Sequence, residues 1–230
     1  MKILKPHPMK KVVLGSLALG LSVLTYGQVD IGAKAGLNYN IWTLKDADPS
    51  NGIGFHLGAY GRIPFSDMLA FQPELLFTTR GVKESIDETV SYTNAFMQMV
   101  MERTEGDATV KVSYIEVPLL LDIMASEGFH VHVGPVLALR MGYNSSLDYT
   151  ETQTVAGTTT TSTFSGESSD DTGIAGFDFA AAAGLNYEME SGFNLGLRYL
   201  RGFTSIAENS ADPLIYNGIQ FSLGFTFIKN

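Results

Sequence analysis

Tyr216-Asn217-Gly218-Ile219-Gln220-Phe221-Ser222-Leu223-Gly224-Phe225-Thr226-Phe227 is the stretch whose reading decides the fold. Ile219, Phe221, Leu223, Phe225 and Phe227 alternate with Gln220, Ser222, Gly224 and Thr226, the period of a strand whose successive side chains point to opposite faces. One face is apolar and the other is small or polar, so the two meet different surroundings. The pattern predicts the closing strand of a membrane barrel, paired with the first strand of the mature chain.

The same alternation recurs upstream. From Val29 to Ile41 every odd residue is apolar, and Asp30, Gly32, Lys34, Gly36, Asn38 and Asn40 stand between. The second run, Ile53–Ile63, opposes Phe55 and Leu57 to His56 and Arg62, and the third opposes Leu69, Phe71, Leu75 and Phe77 to Gln72, Glu74 and Arg80. Pro73 interrupts the third run; lacking an amide donor, it predicts a bulge or a local gap in pairing. The fourth run, Ile115–Ile123, sets Val117, Leu119 and Leu121 against Glu116 and Asp122, while Val110 and Val112 upstream have the opposite parity and suggest a bulge or strand rising out of the lipid zone. The fifth sets Phe129, Val131, Val133, Leu137 and Leu139 against His130, His132 and Arg140. The sixth, Phe177–Tyr187, and the seventh, from Phe193, place Asp178 and Arg198 opposite phenylalanines and leucines.

Connections after the second, fourth and sixth runs are short, and those after the first, third, fifth and seventh are long and polar, spanning about 42–52, 83–109, 144–172 and 204–216. In an up-and-down barrel this alternation gathers the long loops at one rim and the short turns with both termini at the other. Of 15 Lys and Arg, Lys2, Lys5, Lys10 and Lys11 precede or enter the apolar run Val12–Leu24, which ends at Thr25-Tyr26-Gly27; this reads as a signal peptide over 1–27, with the barrel over 28–230. Eleven bases then face 24 acids, a net charge of −13 that argues against nucleic acid and lies mostly in the four long loops. With no cysteine, neither a disulfide nor a thiolate metal site is available.

A soluble eight-stranded barrel with its apolar face inside is the competing arrangement. Its interior is only wide enough for side chains to fill, and the ten phenylalanines among the apolar positions would overfill it. The opposite face is rich in Gly, Ala and Ser. Turned inward, its charges must neutralise and hydrogen-bond one another, which predicts a polar lumen network of Lys34, His56, Arg62, Glu74, Arg80, Glu116, Asp122, His130, His132, Arg140, Asp178 and Arg198 and no open pore.

Three candidate chemistries follow from residue types. His130 and His132, two apart on a strand with His56 on the same face, could converge on a metal, although no acid is tied to them by a ligand-like spacing, so membership of the lumen network is the preferred reading. Asp46-Ala47-Asp48 and Ser169-Asp170-Asp171 could hold calcium, but neither makes the Asp-x-Asp-x-Asp-Gly pattern and solvated loop charge is preferred. A lipid-modifying enzyme would need a nucleophile and base at the outer rim, where no histidine falls. We therefore expect no enzyme, metal or cofactor. Phe96, Met97, Met99 and Met101 form an adaptable apolar cluster that either meets a partner, packs across the barrel mouth or extends the third and fourth strands. The loop 144–172, with Thr158–Thr161, reads as disordered.

With the strands laid out, the chain resembles the PorT-like outer-membrane β-barrel family of Bacteroidetes. The carriers are Lys34-Ala35-Gly36-Leu37-Asn38, Phe71-Gln72-Pro73-Glu74-Leu75-Leu76-Phe77, Tyr114-Ile115-Glu116-Val117-Pro118-Leu119-Leu120-Leu121, Gly134-Pro135 and the aromatic end at Phe225 and Phe227. The resemblance implies a barrel inserted by the barrel-assembly machinery, and its name-giving member takes part in type IX secretion. Ile228-Lys229-Asn230 after the last aromatic departs from barrels that end on the aromatic itself.

The expectation is an all-β, eight-stranded antiparallel up-and-down transmembrane β-barrel, monomeric, in contact with outer-membrane lipids of a Gram-negative cell. The long loops would face outside, the termini the periplasm, and a protein partner would be met through the loops in a structural, secretion or adhesion role. The alternatives are a narrow transport channel and a lipid-modifying enzyme.

Overall fold

The computed structural model describes residues 29–43, 50–208 and 212–229. The signal peptide over 1–27 and the Asp46-Ala47-Asp48 candidate lie outside the described residues. Among the described residues there are nine antiparallel strands: β1 Asp30–Thr43, β2 Ser50–Pro64, β3 Leu69–Thr93, β4 Met99–Ser126, β5 Phe129–Val155, β6 Thr158–Ser168, β7 Phe177–Glu188, β8 Phe193–Ser205 and β9 Ile215–Ile228. Eight of them form a closed ring in the order β1, β2, β3, β4, β5, β7, β8, β9, with β9 returning to β1. The closing pair is the one the terminal alternation predicts: Leu37 stands opposite Phe221 and Ala35 opposite Leu223.

The ring has the eight strands expected, and a ninth strand is added to it in a segment read as a loop. β6 stands outside the ring and pairs with the far half of β5, from Ser145 opposite Ser168 to Val155 opposite Thr158. The segment read as a disordered loop over 144–172 is therefore largely a β-hairpin, and that over 83–109 is the continuation of β3 and β4, paired from Lys83 opposite Thr109 to Thr93 opposite Met99. Of the readings left open for the methionine cluster, strand extension is the observed one. Polar, β-branched Thr is a good strand residue once a neighbour supplies the ladder, and the hydrophobic alternation used to find strands reports burial, which these segments lack.

The apolar face looks outward. Leu37 is 61% exposed, Phe55 44% and Phe221 50%, whereas Asn38, His56 and Gln220 are 1% exposed. Inward-facing glycines let the sheet curl tightly enough to close: a methyl on Gly58 would overlap the Leu75 carbonyl, and one on Gly36 the Phe221 carbonyl. Pro73 gives a local gap and no bulge, since Tyr60 opposite Glu74 and Ile63 opposite Phe71 keep one register across it.

Val110 and Val112 do not mark a slip in β4. Val112 and Tyr114 are both 0% exposed and share the inward face with Glu116. The bulge lies instead in β5, where Ser113 opposes Gly142 but Tyr114 opposes Arg140, leaving Met141 unpaired. It reverses the parity of β5 above that point. The interior is thus apolar at its loop-side end, where Trp42, Val112, Tyr114, Leu200, Ile206 and Tyr216 form a buried cluster backed by Val82, Val110, Ile174 and Leu214.

Candidate functional site

The strand pleat turns one charged side chain after another into the ring, and they sort into tiers by height. Nearest the short turns, Arg62 reaches Asp30 at 2.6 Å and Glu188 at 2.8 Å. Beside it, His130 Nδ1 lies 2.8 Å from Asp122 Oδ1, while His132 stays 3.7 Å away, beyond hydrogen-bond reach.

The next tier centres on Glu74. Arg198 donates to both its oxygens at 2.8 and 2.9 Å, Lys34 lies 2.6 Å away, and Gln72 Nε2 donates at 2.8 Å. Above it, Arg80 donates to Glu116 Oε1 at 2.7 and 3.1 Å and to Asp178, and its guanidinium stacks 3.9 Å from the Tyr216 ring centroid and 4.5 Å from that of Tyr114. Arg80 and Glu116 are wholly buried. Burial of this kind costs several kcal/mol per ion, roughly, unless each charge is matched and its hydrogen-bond capacity filled; the planar guanidinium fork supplies both matches from one residue.

Eleven of the twelve residues expected in the lumen network lie in these tiers or beside them. Arg140 leaves it: its side chain turns to the rim and pairs with Asp171 at 2.8 Å. Sequence reasoning passed over Asp30 and Glu188, the partners of Arg62, and the two tyrosines that sandwich Arg80. Asp30, Tyr114, Glu188 and Tyr216 all have the inward parity of their strands, with Asn38, Glu116, Asn186 and Gln220 respectively, and were findable by it.

His56 holds a second arrangement. Its Nδ1 lies 2.6 Å from Asn38 Oδ1 and its Nε2 2.8 Å from Ser222 Oγ, while Asn38 Nδ2 donates to Thr78 Oγ1 at 2.8 Å. The Asn38 amide oxygen is an acceptor, so Nδ1 carries the proton and Nε2 accepts from the serine. Serine, imidazole and amide are ordered as a nucleophile, its base and an orienting group. Yet His56 is 1% exposed, Ser222 6%, and the interior cavity beside Ser222 amounts to about 20 Å³. That is room for about one water and no ester, so the trio is a structural hydrogen-bond relay.

The loop candidates are engaged locally. The Asp170 carboxylate accepts from the Thr172 hydroxyl at 2.6 Å and the Thr172 amide at 3.0 Å, which hold it below its ordinary titration range, and Asp171 is taken by Arg140. Among the described residues no group of three or more His, Asp or Glu is placed to hold a metal ion. Phe96, Met97, Met99 and Met101 stand at the tip of the β3–β4 hairpin, 83%, 89%, 70% and 48% exposed, far from the interior. Asn94 fixes that tip by accepting from the amides of Phe96 and Gln98 at 2.9 and 3.0 Å.

Comparison with known proteins agrees with a barrel of this kind. The family model described as outer membrane protein beta-barrel domain matches residues 20–208. No curated protein matches the sequence. Among solved structures the chain is similar to Ail, the attachment invasion locus protein of Yersinia pestis, at 10% identity and a TM-score of 0.39, over 87% of this chain and 99% of that one. It is also similar to Neisserial surface protein A, at 10% identity and 0.43, over 86% and 97%, and to the outer membrane channel DcaP of Acinetobacter baumannii, at 11% and 0.25, over 86% and 96%. With its family model spanning most of the sequence and a ring of eight antiparallel strands that turns its apolar face outward, the chain belongs to the outer membrane protein β-barrel domain family.

Proposed function

We propose that this outer-membrane barrel is a sealed anchor that carries a projecting β-sheet to a partner outside the cell. The observation that carries the reading is the pairing of a plugged interior with strands that outrun it. Arg80 and its partners, capped by the apolar cluster around Tyr114, Tyr216 and Ile206, occupy the cross-section, while β3, β4 and β5 run to 25, 28 and 27 residues. A strand of about ten residues suffices to span a membrane, so more than half of each serves another purpose.

The orientation belongs to the same proposal: long strands and their acidic hairpins outside, short turns and termini in the periplasm, insertion by the barrel-assembly machinery after signal cleavage, and a monomer in the membrane. The motif resemblance to PorT-like barrels of Bacteroidetes supports a secretion or adhesion setting. The walled-in serine and the small cavity weigh against the enzyme and the channel.

Because the chain has no cysteine, Met97→Cys gives one reactive thiol. In intact cells we expect a membrane-impermeant maleimide to label it, and the purified chain to give no stable conductance in a planar bilayer and no fluorophosphonate adduct. A large ion-selective conductance overturns the seal; thiol labelling only after the cells are opened overturns the orientation.

A further inference from the structure

Beyond the ring, β3, β4, β5 and β6 form a four-stranded sheet whose two faces differ in kind. Registers fix which residues share a face. Ile86 opposes Gly106, Gly106 opposes Tyr149, and Tyr149 opposes Phe164. Tyr149 stacks on Phe164 with centroids 4.8 Å apart and planes 16° from parallel, and a methyl on Gly106 would stand 2.5 Å from the Tyr149 Cβ, so only glycine there lets the ring lie down. Leu147 extends this apolar row toward the barrel, and Leu147 and Phe164 remain 42% and 43% exposed.

The charge on this face is all of one sign. Glu84, Glu88, Glu102 and Glu151 share it by register, and no Lys or Arg does. Glu88 and Glu151 stand one row beyond the aromatic pair, about 7 Å along the strands, and Glu102 one row further. Among the described residues none of the four forms an ion pair; Glu102 receives the Tyr92 hydroxyl at 3.5 Å. The opposite face mixes both signs: Lys83 pairs with Asp107 at 2.9 Å, and Arg103 with Glu105 at 2.7 Å and with Asp87 at 3.3 Å, while Asp148 and Glu167 share that face. One face of the sheet thus sets lysine and arginine among its acids, and the other presents exposed aromatic and aliphatic surface beside carboxylates with no cation on their face.

We infer that this second face is a docking surface for a basic polypeptide segment carrying aliphatic or aromatic residues beside its lysines or arginines. The segment's apolar side chains cover Leu147, Tyr149 and Phe164 while its cations meet Glu88, Glu102 and Glu151. Apolar contact sets the affinity, and the sign of the charge selects the partner. This inference rests on the proposal that the sheet lies outside the membrane.

The test uses the full chain in phosphatidylcholine nanodiscs, with empty nanodiscs as the reference. The probe is a fluorescein-labelled peptide of repeated Leu-Thr-Lys-Thr units, read by anisotropy. Binding is expected for this probe and not for its Leu-Thr-Glu-Thr or Gly-Thr-Lys-Thr counterparts. The triple variant E88Q/E102Q/E151Q raises Kd about tenfold or more, as loss of about 1.4 kcal/mol would; Y149S/F164S does the same, and E105Q/D148N/E167Q, which removes as much charge from the opposite face, changes it less than about twofold on that scale. Heat-modified migration on SDS gels verifies that each variant retains its barrel. Equal loss from both triple variants, equal binding of the acidic probe, or no binding of the lysine probe overturns the inference. If binding fails while Met97→Cys still labels from outside, the sealed anchor stands and this docking surface falls.

Discussion

Arg80 shows how one side chain can decide whether the interior holds. It is wholly buried, donates to Glu116 and Asp178, and lies between two tyrosine rings. Arg80→Ala leaves two carboxylates without a cation where water is scarce, and we expect a loss of about 3–5 kcal/mol, measured by urea unfolding in liposomes. Replacing the three residues together by Met, Leu and Leu is expected to restore most of that, because matched hydrophobic groups often equal a buried ion pair. If Arg80→Ala unfolds like the parent chain, the tier is decoration. Outside the membrane, the Asp107 carboxyl is held below its ordinary value by hydrogen bonds from Lys83 and Ser85. A depressed value means the stabilising contribution is full above the unfolded titration range and is lost as pH falls through the folded one. Lys83→Met should therefore raise the Asp107 midpoint toward the unperturbed value in a carboxyl-detected NMR titration, and an unchanged midpoint would remove Lys83 as the cause.

At the scale of elements, the long strands are two structures in series. Their barrel halves alternate apolar and polar because lipid and lumen face opposite sides. Their outer halves are held by ladders, such as the eleven paired positions of β5 and β6, with little burial to stabilise them. Replacing 84–108 by Asn-Gly, which suits a tight hairpin, and removing 146–168 should leave the barrel's heat-modified gel mobility unchanged, because all interior ion pairs lie below these cuts. A truncated chain that no longer assembles would show that the projecting sheet and the ring are one cooperative unit. The bulge at Met141 is what joins the halves. By reversing the parity of β5, it brings Leu147 and Tyr149 to the side that Val110 and Ala108 present on β4.

For the whole molecule, the arrangement depends on which face of the sheet meets lipid. The single tryptophan, Trp42, is 6% exposed within the interior cluster, and Leu37 on the same strand is 61% exposed on the outer face. Brominated lipids should quench a tryptophan placed by Leu37→Trp in a Trp42→Phe background several-fold more strongly than they quench Trp42. Equal quenching would contradict the sidedness.

The sequence by itself determined the strand period, the identity of the outward face and the pairing of the first strand with the last, because lipid and a cramped lumen impose opposite demands on alternate residues. Lys34, Glu74, Glu116, Asp178 and Arg198 were readable as interior charges for the same reason. Which charges meet could only be decided by the closed ring, since Arg80 reaches Asp178 across 98 positions in the chain. The apolar cap, the departure of Arg140 to Asp171 and the four-stranded projection were likewise tertiary outcomes. Their residues carry no burial periodicity of their own, and neighbours supplied by the ring or the ladder, together with one bulge, settle where each side chain points.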